Sequence, residues 1–350
     1  MKKLLSIMSF YFLALCLQSF AICPSVDAQQ YTIIDLGTLS GGYFAQAAKI
    51  NESGRIAGTS ERNDSSPEIH AFLWTKQDGM MDLGNLYEGD TIATSINNRK
   101  QVVGYEYYEN AEPLVHTFLW SKKTGMLDLG TLGGIYSQAR GINGRGQIVG
   151  SSTNHEGDWR AFLWDEKDGM QDIGTLGGDT FAWGINDPGQ IVGCSSVPGN
   201  YAYHAFIWTK QKGMQDLGTL GGTFAIPHSI NNSGHFVGIS ENSSGQWHAF
   251  LWTEENAMQD LGTLGEPISD AYAINESDQV VGGSYYSVPE EGRAFLWDEI
   301  NGMQDLNDLI PGNSGWVLLW ASGINNAGEI VGVGHLNGSD NRAFLLMPAQ

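Results

Sequence analysis

The chain has 350 residues, 46 of them glycine, with 16% charged residues and a formal net charge of −21 at pH 7. Its length passes the ~250–300 residues at which one hydrophobic core stops growing, so it calls for two domains or for a repeat whose units pack only on their neighbours. The acidic balance repels phosphate backbones and anionic lipid, which argues against nucleic acid and membranes as partners.

In chain order, Lys2 and Lys3 open a basic region and an apolar stretch follows from Leu4 to Phe20. Val26-Asp27-Ala28 then supplies small residues for cleavage before Gln29, the pattern of an export signal. We expect residues 1–28 to be a signal peptide and 29–350 the mature protein, secreted or periplasmic and free of the membrane after cleavage. An uncleaved anchor is the alternative, since the apolar stretch is close to the lower limit for a spanning helix. Without the leader the net charge becomes −22 and Cys194 is the one cysteine left, so no internal disulfide can form.

A repeat then occupies the chain. Asp-Leu-Gly or a close variant begins at Asp35, Asp82, Asp128, Asp172, Asp216, Asp260 and Asp305, at spacings of 47, 46, 44, 44, 44 and 45. An Ile-Asn pair follows each, ending at Asn51, Asn97, Asn143, Asn186, Asn231, Asn275 and Asn325. A short apolar run ending in Gly comes next, and then a basic-Ala/Thr-Phe-Leu/Ile segment starting at His70, His116, Arg160, His204, His248, Arg293 and Arg342. One period carries four strand-like runs, residues 137–143, 147–152, 160–164 and 170–174. Asn-x-x-Gly joins the first two, Asn bonding its own backbone and Gly supplying φ > 0. Lys100 and Asp278 replace that Gly in two copies, which predicts strained or reshaped hairpins there.

The mature chain opens with a fourth-type strand, Tyr31 to Gly37, and ends with a third-type strand, Ala343 to Met347. The fold class is therefore all-β: a seven-bladed β-propeller of four-stranded antiparallel blades, closed by the N-terminal strand completing the last blade. The basic residue and the Asp stand 12 apart in His70/Asp82, His116/Asp128, Arg160/Asp172, His204/Asp216, His248/Asp260 and Arg293/Asp305. A cross-strand pair in each blade follows from that spacing, and it predicts that Arg342 meets Asp35.

His-Ala-Phe-Leu-Trp at 70–74 and 248–252, with Asp-Leu-Gly-Thr-Leu-Gly-Gly at 128–134 and 216–222, resembles the HAF-repeat family of exported, mostly bacterial proteins. The resemblance spans essentially the whole mature chain and implies an extracytoplasmic repeat protein, with no reaction or ligand attached.

Catalytic signatures such as His-Glu-x-x-His, Gly-x-Ser-x-Gly, a phosphate loop or paired Cys-x-x-Cys are missing, and no cofactor or metal is expected. Function is better sought where the copies differ. Two residues before each Ile of Ile-Asn stand Ala48, Thr94, Arg140, Trp183, His228, Tyr272 and Ser322. If the first strand is innermost, Arg140, Trp183, His228 and Tyr272 form a polar and aromatic channel wall suited to a carboxylate or a sugar; filling the space between blades is the alternative. The loops before the third strands offer Tyr105, Tyr107, Tyr108, Trp159, Tyr201, Tyr203, Trp247, Tyr285 and Tyr286, with Glu106, Glu109, Glu112, Asp158, Glu290 and Glu291. A longer connection, residues 311–316, brings Trp316 close to Trp320 and reads as a binding loop or as a seal. Two functional readings remain. One is a monomeric, non-catalytic binding or scaffold propeller that recognises a glycan or protein through its loop face. The other is a polysaccharide-acting enzyme with its site in the channel, a lyase more than a hydrolase, because none of the seven channel positions is acidic.

Overall fold

The computed structural model describes residues 31–62, 68–108, 114–199, 202–339 and 341–349. The export signal expected at 1–28 lies outside them, as do Glu109, Glu112 and Tyr201. Among the described residues the elements are 28 strands and two short 3-10 turns, and no helix is long and apolar enough to cross a membrane.

A representative unit consists of strands Gly133–Ile142, Ile148–Asn154, Trp159–Asp165 and Gly169–Asp172, paired antiparallel in that order. The Phe of the third strand is the centre of each unit: Phe72, Phe118, Phe162, Phe206, Phe250, Phe295 and Phe344 are all fully buried, each contributing roughly 1.5–3 kcal/mol of burial. The ring needs room over the second strand, and the repeated Gly supplies it. A Cβ on Gly58 would lie 2.5 Å from the Phe72 ring and 2.2 Å from the Gln46 carbonyl oxygen. The Gly ending each apolar run is thus a packing requirement.

Three of the sheets have four strands and two have eight. Each larger sheet is two four-stranded meanders joined by one parallel bridge, Tyr136 to Val115 or Tyr203 to Phe224. The four-stranded antiparallel units expected from the sequence are present, with neighbours joined at these two bridges. The physical reason is length: inner strands Gly133–Ile142 and Gly221–Ile230 run to 10 residues and reach the third strand of the preceding unit.

The two chain ends meet in one sheet. Tyr31–Asp35 pairs antiparallel with Asn341–Pro348, Tyr31 opposite Pro348 and Asp35 opposite Phe344. Leu36 N–H continues the ladder to Ala343 O at 3.0 Å, and the Tyr31 ring is buried in the last unit's core.

The long connection before the last unit is a packed plug. Residues Leu306–Leu309 form a 3-10 turn, and Leu306, Leu309 and Ile310 are buried. Asn307 clamps the returning strand, its side chain accepting from Leu318 N–H at 2.7 Å and donating to Leu318 O at 3.0 Å. Trp316 packs edge-on against Phe344, centroids 6.1 Å apart. The connection seals the core.

In five of the Asn-x-x-Gly turns the Gly has φ between 70° and 93°, while Lys100 holds φ 64° and Asp278 φ 57°. A non-glycine residue there costs roughly 1–2 kcal/mol. Asp278 has compensation, accepting from Asn231 Nδ2 and His235 Nδ1 at 2.9 Å each. Lys100→Gly should therefore raise unfolding free energy by about 0.5–1 kcal/mol in urea melts, and Asp278→Gly should give no gain.

Candidate binding sites in the central cavity and on the loop face

The inner strands are held in place by the Asn of Ile-Asn. Each Asn is at most 5% exposed, and its Oδ1 accepts backbone N–H groups of its own turn, such as Arg145 and Gln147 for Asn143. Its Nδ2 donates to the backbone carbonyl of the next unit's Asn. Those bonds run Asn51 to Asn97, Asn143, Asn186, Asn231, Asn275 and Asn325 in turn, and Asn325 donates back to Asn51 O at 3.3 Å. The cycle is complete. One residue on, a second ring links Glu52 to Asn98, Gly144 to Asp187, and onward through Asn232, Glu276 and Asn326 to Glu52. It breaks between Asn98 and Gly144, where glycine offers no side chain.

Above the isoleucines, Ala48, Thr94, Arg140, Trp183, His228, Tyr272 and Ser322 border one cavity of about 230 Å³. Trp320 borders it too, whereas Trp316, expected beside Trp320 as a ligand contact, does not border this cavity and packs half-buried against Phe344. The register explains the separation, because Trp316 opposes Leu336 at the far end of the strand while Trp320 opposes Val333 near the bulge. Arg140, Trp183, His228 and Tyr272 touch in series. The Arg140 guanidinium lies 4.6 Å from the Trp183 ring centroid, Trp183 meets His228 edge-on at 5.3 Å, and His228 meets Tyr272 at 5.6 Å.

Two channel groups escape the sequence pattern. Lys49 crosses the cavity and donates from Nζ to Tyr272 O at 2.8 Å. Burial pushes its ammonium down to about 8. The signal for it was present: the residue before each Ile is Gly, Ala or Ser in the other six copies. Asp270, in the inner strand Ile268–Ile274, places its carboxylate 3.0 Å from His228 Nε2. The channel is therefore not free of acid near its wall, as the seven positions alone suggested. Asp270 stands four residues before its Ile, a row the spacing argument left unread. Burial, and then Asp270 and Tyr285, hold the Tyr272 hydroxyl well above its usual range, and burial lowers the Arg140 pKa. Among the described residues neither Lys49 nor Arg140 pairs with a carboxylate; Arg140 donates to Gln138 Oε1 at 2.9 Å.

The loop face carries a second arrangement. Tyr136, Trp159, Phe181, Tyr203, Phe224 and Trp247 form one continuous row, neighbouring centroids 5.6–6.1 Å apart with planes 18–45° apart. Trp159, Tyr203 and Trp247 were expected there; Tyr136, Phe181 and Phe224 come from inner strands and complete the row. Other expected loop groups lie elsewhere. Tyr105, Glu106, Tyr107 and Tyr108 belong to strand Val102–Tyr108, and the Tyr105 ring lies 5.5 Å from the Arg140 guanidinium. Glu106 is buried as an acceptor for the N–H groups of Leu86, Tyr87 and Gly89. Tyr285 is buried in strand Val280–Tyr285, while Tyr286 is exposed.

The basic–Asp pairs are structural clamps. His70, His116, His204 and His248 place Nδ1 within 2.8–2.9 Å of Asp82, Asp128, Asp216 and Asp260. Arg293 reaches Asp305 at 3.1 Å and Arg342 reaches Asp35 at 2.7 Å. Arg160 is the loose member, 3.8 Å from Asp172 and turned toward Asp158 at 2.8 Å. The geometry is diagonal, since the residue opposite Asp82 is Phe72. Each Asp also accepts the N–H two residues on, as Asp82 does from Gly84 at 2.8 Å. Burial works against the Asp128 carboxylate, but bonds from His116, Tyr87 and Gly130 outweigh it and hold the group down to about 2. The Asp128 bond raises the His116 pKa over the opposing effect of burial. Cys194 is buried, and that burial pushes its thiol up to about 12. Among the described residues no three His, Cys, Asp or Glu side chains cluster as a metal site.

Lys49 yields a signed prediction. Its pKa is lower in the folded chain than the ordinary 10.5, so the buried ammonium destabilises the fold below about pH 8 and this penalty fades as pH rises toward 10.5. Lys49→Met should raise unfolding free energy by roughly 1–3 kcal/mol at neutral pH. The gain should shrink steadily in urea melts repeated at increasing pH through that window.

No family model matches the sequence, and no curated protein matches it. Solved structures do. The chain is similar to the β-propeller domain of the Trilobed protease from Pyrococcus furiosus, at 9% identity over 86% of this chain and 95% of that one, with a TM-score of 0.56. It is similar to an oligogalacturonate lyase in complex with manganese, at 10% identity over 93% and 95%, TM-score 0.57. The WD40 β-propeller domain of Doa1 gives 14% identity over 90% and 96%, TM-score 0.51. At such identities the likeness speaks to fold alone, and the fold is an all-β propeller.

Proposed function

We propose that the chain is an exported, non-catalytic seven-bladed propeller of the HAF-repeat type that binds a neutral, extended glycan across its loop face. The aromatic row from Tyr136 to Trp247 carries this reading. Three neighbouring pairs are stacked and two are tilted, at 5.6–6.1 Å, and all six rings are half-buried, so part of each stays open to solvent. Sugars present apolar C–H faces that pack on aromatic rings. The charge of −21 disfavours an acidic polymer on the outer surface.

Seven blades and ring closure are supported by the pairing of Tyr31–Asp35 with Asn341–Pro348 and by the Asn cycle that returns from Asn325 to Asn51. Removing residues 31–36 from the mature protein should cost cooperativity, with a lower, broader thermal transition and concentration-dependent association through the exposed edge. A truncated form that melts as sharply and as high as the full chain would refute closure.

Binding is tested by affinity electrophoresis and calorimetry against soluble β-linked glucan, mannan and xylan. Trp159→Ala and Trp247→Ala should each weaken binding roughly 2- to 12-fold, from about 0.5–1.5 kcal/mol per ring. Tyr286→Ala, at an exposed ring outside the row, should leave it unchanged. Equal affinity in all three variants would sink the loop-face reading.

A further inference from the structure

The protein carries few cations, 18 Lys and Arg against 39 Asp and Glu, yet two of them face its central cavity from different units. Lys49 holds its ammonium on a backbone carbonyl, and Arg140 sits between the Tyr105 and Trp183 rings with the Gln138 amide oxygen and the Tyr105 hydroxyl as hydrogen-bond partners. Neither has a carboxylate partner among the described residues. A buried cation of that kind is costly unless an anion meets it, and both lie where a ligand can reach them. Asp270, an acid beside the wall, is taken up by His228. Thr94 and Ser322 turn their hydroxyls to the backbone carbonyls of Ala139 and Ala47. What remains open to an occupant is positive charge and aromatic surface.

Size narrows the choice. At about 230 Å³ the cavity is smaller than the ~300–1,000 Å³ of pockets for drug-sized molecules. Beneath it the isoleucines and the Asn turns line a separate hollow of about 210 Å³. The geometry points to a second binding site, distinct from the loop face, in which the cavity bordered by Lys49 and Arg140 takes one acidic monosaccharide, its carboxylate drawn by their positive charge while Trp183, Tyr272 and Trp320 offer ring surface. No bond is made or broken in this proposal. It does not depend on the loop-face reading, and the two fail separately.

The test is calorimetry and thermal shift on the mature protein with glucuronate, glucose and acetate. Glucuronate should bind and raise the melting temperature. Glucose lacks the carboxylate and acetate lacks the ring, so each should bind at least tenfold more weakly. Arg140→Gln and Lys49→Met should each weaken glucuronate binding tenfold or more, with Trp159→Ala leaving it unchanged. Lys49→Met is expected to be the more stable protein, so lost binding there cannot be put down to misfolding. The proposal is overturned if glucuronate shows no binding at millimolar concentration, if glucose or acetate binds as well, or if both channel variants retain wild-type affinity.

Discussion

The side-chain amide of one repeated asparagine holds the architecture together. Buried amides cost several kcal/mol when unpaired, so each Asn must spend its whole hydrogen-bonding capacity. Asn143 does so: its oxygen takes two N–H groups of its own turn, and its nitrogen serves Gln147 and the Asn186 carbonyl. A turn residue is thereby also the bond to the next unit. Removing one Asn leaves a hairpin and a neighbour's carbonyl unsatisfied together, a loss of roughly 1–3 kcal/mol for each group. The cycle ties the inner strands of successive units to one another, beside the cavity that they line.

Positions repeated in every copy are consumed by this construction. The Phe rings need the Gly beneath them, the basic–Asp pairs pin third strand to fourth, and the Asp also caps the following turn. That self-sufficiency frees the varied positions. Two rows differ from copy to copy, the channel row and the loop-face row, and both collect aromatic or charged groups. In the channel, burial depresses the Lys49 ammonium, and methionine is expected to fold there at lower cost. The loop face has no such cost, as its rings stabilise one another.

Several residues that looked alike in the sequence have opposite fates. Trp316 and Trp320 are four apart, yet one packs half-buried against the core and the other borders the cavity, because a bulge between Leu318 and Trp320 shifts the register. Glu106 reads as a loop carboxylate and is a buried cradle for three N–H groups. Tyr105 points to the channel and supports Arg140.

By itself the sequence determined the strand order of each unit, the hairpin positions, the pairing partners of the basic residues and the chain-end match, because period, turn chemistry and hairpin length are local properties. It also marked the channel row through Arg140, Trp183, His228 and Tyr272. Only the tertiary structure decided that Lys49 spans the cavity to Tyr272, that Asp270 engages His228, and that six rings from inner and third strands align. Those contacts join residues from different units across the axis or along the rim. Distance between units depends on how sheets pack around the Asn cycle, and no spacing along the chain encodes it.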